Sequence, residues 1–204
     1  MAKIGILGGS FHPFHNGHLF LGQYCLEQKI VDEIWFIPTG CSYLKADQKM
    51  LTGQQRYELV QAGIEGIPNM QVLDLEIKRA GNTYTYETME ELNRLYPQNQ
   101  FYFIIGADCL FTIETWNRSD RIFNACTILA AKREGKTDRK IKDKINQLRE
   151  TYQARIMLLD FPEMDISSTV IRERLENEED VSNLLPQGVL QRIREKGYFK
   201  KEIS

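Results

Sequence analysis

The chain has 204 residues, 42% of them hydrophobic, with 26 Lys and Arg against 28 Asp and Glu and a formal net charge of −2. That length holds one α/β domain with a full core and makes two large ones a tight fit. No apolar run approaches the ~20 residues of a bilayer span, and the near-neutral charge offers nucleic acid no attracting field, so any polyanion must be held by a local site.

Met1 leads straight into an apolar run at residues 4–7, without the basic start, long apolar stretch and small-residue cleavage site of a signal peptide. A cytoplasmic protein with neither a membrane nor a nucleic-acid partner is expected. Cys25, Cys41, Cys109 and Cys126 are scattered, form no C-x-x-C pair and read as reduced thiols.

The predicted elements open with a strand at 3–7 and a helix at 17–28, followed by a strand at 33–37 and a polar loop at 41–51. A helix at 53–63 comes next, its start marked by the capping-box pair Thr52 and Gln55. Then come a strand at 71–76, a helix at 86–96 stopped by Pro97, and strands at 101–105 and 127–131. A helix at 136–152 and a strand at 155–160 complete the run. Two last helices, 168–176 and 186–196, have Pro186 in a first turn and Gly197 as terminator. Short apolar strands alternating with longer helices predict a doubly wound, mostly parallel α/β sheet. One domain over 1–204 is expected, with 166–204 as a small helical part packed on the sheet's edge.

All three histidines fall in Gly8-Gly9-Ser10-Phe11-His12-Pro13-Phe14-His15-Asn16-Gly17-His18, between the first strand and the first helix. Glycines there let backbone approach a bulky ligand, and a strand-to-helix turn aims amide N–H groups and a helix's positive end at an anion. His15 and His18, three apart, share one side of a first turn that starts near Asn16. The spacing fits neither G-x-x-x-x-G-K-[ST] nor G-x-G-x-x-G. A phosphate site is the leading reading; the alternatives are a self-satisfied turn and a zinc ion shared by His12, His15 and His18. Near the other end, Ile166-Ser167-Ser168-Thr169-Val170-Ile171-Arg172 sets three hydroxyls at a helix start with a guanidinium one turn later, which suits either capping or phosphate binding.

The first segment resembles the G-G-[ST]-F-x-P-x-H-x-G-H signature of the nucleotidyltransferase superfamily, and the second its I-S-[SA]-T-x-[IV]-R. The likeness runs from Ile4 to about Phe199 and is strongest to the bacterial nicotinate-nucleotide adenylyltransferases. It implies a Rossmann-like fold, ATP and nicotinate mononucleotide as substrates, and Mg²⁺ accompanying the ATP. The family includes monomers and larger assemblies, so a homo-oligomer stays open.

Residue by residue, the resemblance assigns His15, His18, Arg172 and Lys45 to catalysis. Gly8, Gly9, Ser10, Gly106, Asp108, Ser167 and Ser168 go to the nucleotide: Gly106-Ala107-Asp108 is similar to I-I-G-x-D, whose carboxylate region meets the ATP ribose. Thr83-Tyr84-Thr85-Tyr86-Glu87-Thr88 is similar to S-Y-T-x-[DQ]-T, whose backbone and threonine groups, Thr83, Tyr84 and Thr85 first among them, would receive the pyridine carboxylate; Trp116 would stack on the ring, and Arg133 of a V-x-R-x-G-like segment would lie near the mononucleotide. The sequence departs from the pattern at Ser10, where threonine is common, at His12, where aspartate is common, and at 41–45, which lacks P-P-H-[KR]. The implied reaction is attack of the mononucleotide phosphate on the α-phosphorus of ATP. Other adenylyltransferases of the superfamily, for pantetheine phosphate or flavin mononucleotide, fit the T-Y-T segment, Trp116 and Arg133 poorly, and a silent nucleotide sensor would not need His15, His18 and Arg172.

Overall fold

The computed structural model describes residues 1–40, 50–132, 138–162 and 164–200. Six strands, β1 (Lys3–Gly9), β2 (Glu33–Pro38), β3 (Met70–Val72), β4 (Gln100–Gly106), β5 (Thr127–Ala131) and β6 (Ile156–Leu159), form one sheet in the order 3-2-1-4-5-6. Every pairing is parallel. The helices are α1 (Asn16–Glu27), α2 (Gly53–Ile64), α3 (Thr85–Leu95), α4 (Ser119–Ala125), α5 (Asp138–Tyr152), α6 (Ser168–Glu176) and α7 (Gln187–Lys196), with 3-10 turns at Ala107–Phe111 and Ile113–Thr115. None is long and apolar enough to cross a membrane, among the described residues.

Strand side chains alternate between the two faces, and both faces are apolar because both are covered. Ile4 and Ile6, Phe101, Phe103 and Ile105, and Ile128 and Ala130 pack under Met89 and Leu92 of α3, Ile122 and Phe123 of α4, and Ile141, Ile145 and Leu148 of α5. Leu7, Ile34, Phe36, Ile104, Leu129 and Leu159 pack with Leu59 and Val60 of α2, Ile171 of α6, and Val189 and Ile193 of α7. The doubly wound sheet expected from the alternation is the observed one.

Four expectations need correction. The third strand stops at Val72 instead of 76, since the chain turns at once, with Lys78 N–H donating to Asp74 O at 3.1 Å and Arg79 N–H to Glu76 O at 3.2 Å. This turn carries Glu76 inward. Helix α4 was unforeseen: at seven residues it is too short to show a periodicity. Pro186 occupies the N-cap position instead of the first turn, while Gly197 ends α7 in the left-handed region at φ 65° as expected. Finally, the C-terminal part lies on the helix layer of one face instead of the sheet's edge. There α7 crosses α2 so closely that a Cβ on Gly188 would stand 2.2 Å from Ala62 O, and one on Gly63 2.9 Å from Val189 Cγ2. Both glycines are a condition of that contact.

Candidate active site

The strand order reverses between β1 and β4, and in open parallel sheets ligands bind outside the carboxyl ends of the strands at that point. The histidine turn leaves β1 there. His15 is the N-cap of α1, with extended backbone, and its N–H donates to His18 Nδ1 at 3.2 Å. A ring nitrogen that accepts belongs to a neutral imidazole whose proton is on the other nitrogen, so His18 presents Nε2–H as a donor. Its ring is held between His15, 3.7 Å away centroid to centroid and tilted 23°, and Phe14, 5.6 Å away and tilted 18°. Phe11 and Phe14 are fully buried. Phe11 has φ 47°, a conformation unfavourable by roughly 1–2 kcal/mol for an L residue. Its ring, edge-on to Phe14, Phe36 and His18, holds it there. Gly17 lets the His15 ring lie flat, for a Cβ would be 3.1 Å from its Nδ1.

The late serine-rich turn meets this loop. Ser168 Oγ donates to Pro13 O at 3.2 Å, and Arg172 Nη1 donates to His12 O at 2.8 Å while Nη2 reaches Thr169 Oγ1 at 3.2 Å. Ser167 caps α6 by accepting from Thr169 N–H. Arg172 therefore ties the two turns together, and it does so through the carbonyl of His12, the residue whose role the sequence left open. His12 Nδ1 also accepts from Leu51 N–H at 3.4 Å, and its ring faces Phe199 at 5.0 Å.

Two cavities open at this edge. One of about 300 Å³ is lined by His15, His18, Gly106, Lys132, Ser167 and Ser168, with Phe161 and Met164 among its apolar lining. The other, about 200 Å³, is lined by Gly8, Thr83, Tyr84, Thr85 and Trp116, together with Glu76, Thr88 and Asn117. A polar concavity of about 690 Å³ between Arg121 and Arg155 is larger, but it involves the amino-terminal ends of β4 and β5, away from the switch point. Gly9 and Ser10 close the β1 end, and Asp108 lies exposed in the 3-10 turn after Gly106. Lys45 and Arg133 fall outside the described residues.

The smaller cavity sits at the start of α3, where Tyr84 at the N-cap gives no side-chain cap bond. Trp116 leaves the second 3-10 turn with its indole edge-on to Phe103 at 6.3 Å. That turn is anchored from α5: Lys144 Nζ donates to Glu114, as does Gln147 Nε2 at 3.1 Å. The hydrogen bond from Lys144 holds the Glu114 carboxyl below its ordinary value.

Sequence reasoning missed Glu76, Asn117 and Lys132 along these walls, carried Thr88 only as the last threonine of the T-Y-T motif, and missed Arg56 behind them. Arg56 is 2% exposed, and its guanidinium donates to Ser10 O at 2.8 Å, Thr39 O at 2.6 Å and Leu51 O at 3.2 Å, fastening three loops. A signal was present: Arg56 falls on the stripe shared with Leu59, Val60 and Gly63, where an arginine is buried among apolar residues. No group of three or more His, Cys, Asp or Glu side chains gathers to hold a metal among the described residues, so the shared zinc finds no support there.

A cytidylyltransferase-like family model matches residues 6–174. The probable nicotinate-nucleotide adenylyltransferase of Lachnoclostridium phytofermentans is 37% identical over 98% of this chain and 100% of its own. That of Oceanobacillus iheyensis is 38% identical over 96% and 95%. Among solved structures, Plasmodium falciparum nicotinic acid mononucleotide adenylyltransferase complexed with NaAD superposes with a TM-score of 0.79 at 21% identity, covering 98% of both chains, which speaks to the fold. With the model spanning both motif-bearing turns and relatives aligned from end to end, the chain belongs to the cytidylyltransferase-like family, in its nicotinate-nucleotide adenylyltransferase branch.

Proposed function

We propose that the chain transfers the adenylyl group of ATP to nicotinate mononucleotide, giving deamido-NAD and pyrophosphate, as a single nucleotidyltransferase domain working in the cytoplasm. The observation that carries this reading is the pair of cavities flanking the β1/β4 switch point, one walled by histidines and serines, the other by Thr83, Tyr84, Thr85 and Trp116. Substrate names on close relatives and the NaAD bound to a structural neighbour support it. A core shared by α6, α7 and the sheet supports one domain, and Cys25, Cys109 and Cys126, which form no disulfide among the described residues, suit a reducing compartment.

In this reading an oxygen of the mononucleotide phosphate forms the new bond to the α-phosphorus of ATP as the bond to the β-phosphate oxygen breaks, and pyrophosphate leaves with that electron pair. A phosphate monoester has a second pKa near ~6 and is largely dianionic at neutral pH, so no general base is needed. The protein must instead offset repulsion between anions and stabilise charge at the leaving oxygens. His18 Nε2–H, His15 and the amides at Gly9 and Ser10 act on the triphosphate. Ser167 and Ser168 flank its far end, and Arg172 both braces the histidine turn and lends charge. Gly106 admits the ATP close to β4, and Asp108 meets its ribose.

Magnesium fits as a companion of ATP, because such ions usually keep their waters and bind through substrate phosphates and one or two carboxylates. When bound it would neutralise phosphate charge. In the second cavity the amides at the start of α3, with Thr83 and Thr85, take the pyridine carboxylate, and Trp116 stacks on the ring. Lys45 and Arg133 remain assigned as further cations for the phosphates and the mononucleotide.

Incubating the protein with ATP and magnesium plus nicotinate mononucleotide, phosphopantetheine or flavin mononucleotide, and measuring pyrophosphate, tests the reading. Release with nicotinate mononucleotide is expected; release only with another acceptor, or with none, contradicts it.

A further inference from the structure

We propose that Glu76 selects the mononucleotide by the positive charge of its pyridinium ring, an inference that rests on the proposed function. Glu76 is 7% exposed and lines the smaller cavity together with Trp116. Its Oε1 accepts the Thr88 hydroxyl at 2.7 Å, and Thr88 Oγ1 is itself oriented by Arg79 Nη1 at 3.2 Å. Arg79 gives its own charge to α3 instead: Nη2 pairs with Glu91 at 2.6 Å, and Nη1 lies 3.7 Å from Glu87. Among the described residues no cation pairs with Glu76, and it is the only formally charged side chain on the described wall of that cavity.

A buried carboxylate with one neutral hydrogen bond and no counter-ion is costly unless a ligand supplies the charge. The rest of the wall says which kind of ligand. Trp116 puts an indole on that wall beside Phe103, whose ring plane lies 74° from its own, and an indole attracts a flat cation. The start of α3, without a side-chain cap, offers positive partial charge. Nicotinate mononucleotide carries both complements on one ring, a cationic nitrogen for Glu76 and Trp116 and a carboxylate for α3. An uncharged ring of the same shape satisfies only the second. Glu76 thus reads a property that the carboxylate-binding T-Y-T segment cannot.

The test uses the full chain and two acceptors, nicotinate mononucleotide and its 1,4-dihydro form, whose ring has the same substituents and no positive charge. Wild-type protein should have a KM at least about tenfold lower for the cationic ring, as one charge in a partly desolvated site implies. Glu76→Gln keeps an oxygen to accept from Thr88 but loses the charge. It should raise KM for nicotinate mononucleotide about tenfold with kcat little changed, and leave KM for the dihydro form within about twofold. Glu76→Asp, which retains the charge, should keep the preference in direction.

Equal KM values for the two acceptors in wild-type protein overturn the proposal whatever the variants do, as does a Glu76→Gln variant that raises KM for both acceptors alike or for neither. Should Glu76→Gln not fold, Glu76→Asp decides: losing the preference while folded would overturn the idea. Failure of the functional reading looks different, since wild-type protein would then release no pyrophosphate with nicotinate mononucleotide at all.

Discussion

Replacing Arg56 by Met removes a buried fork and nothing else of comparable size. Three carbonyls, Ser10 O, Thr39 O and Leu51 O, would each lose a charged donor now 2.6 to 3.2 Å away. Hydrogen bonds to charged groups are worth about 1.5–3 kcal/mol apiece. All three residues are half-buried, so water can replace part of the loss. A total of about 3–4 kcal/mol follows, the low end of that range summed and discounted for re-solvation. For a chain of this size, 1 kcal/mol moves the melting temperature by about 2–4 °C, so calorimetry should find a drop of roughly 6–16 °C. Turnover should also fall, about tenfold or more, because Ser10 belongs to the histidine turn and Thr39 lines the second cavity. Arg56→Lys keeps the charge but cannot reach three acceptors with one ammonium, and should recover only part of either loss. A melting temperature within about 2 °C of wild type, with unchanged turnover, would refute the claim that this guanidinium fastens the site.

Other consequences can be measured directly. His18→Ala removes a donor aimed at developing charge and should lower kcat on the order of 100-fold in the pyrophosphate assay, while losing its bond to His15 N–H costs only about 0.5–2 kcal/mol of stability, so the variant stays folded under assay conditions. Gly188→Ala puts a Cβ 2.2 Å from Ala62 O and should force α7 away from α2, lowering stability by about 1–3 kcal/mol in urea titration. Burial pushes the Cys25 and Cys126 thiols up to about 12 from an ordinary 9.0. Iodoacetamide at pH 8 should therefore leave both unmodified in the native protein and alkylate both after denaturation. By the same shift the folded state holds protons that the unfolded state releases, so these thiols' contribution to stability is complete below pH 9.0 and is lost as pH rises through about 12. A denaturation midpoint with no fall over that interval would contradict it.

Much of the architecture was legible because parallel strands buried on both faces announce themselves. Residues 127–131 read as a strand and are one, and the helix at 168–176 has those bounds. The site's frame was legible for a different reason: histidines and serine-rich turns are rare patterns whose chemistry is local. What escaped depends on contacts between distant segments. Nothing around Glu76 says that the chain will turn after Val72 and tip the carboxylate toward Thr88, 12 positions on. The brace from Arg172 to His12 O spans 160 positions, and the fold alone brings its ends together. Arg56 was legible in principle, since its place on the apolar stripe of α2 marks it as buried, but its three acceptors lie on separate loops.

The proposed reaction depends on one arrangement, a triphosphate held between the histidine turn and the start of α6. A crystal structure of the protein with an ATP analogue whose α,β-bridge is methylene tests it most directly. The expected result is phosphate oxygens within hydrogen-bonding distance of His18 Nε2 and of the Ser167–Ser168 turn, in the cavity that Gly106 closes. A triphosphate bound elsewhere, such as the concavity between Arg121 and Arg155, would contradict it.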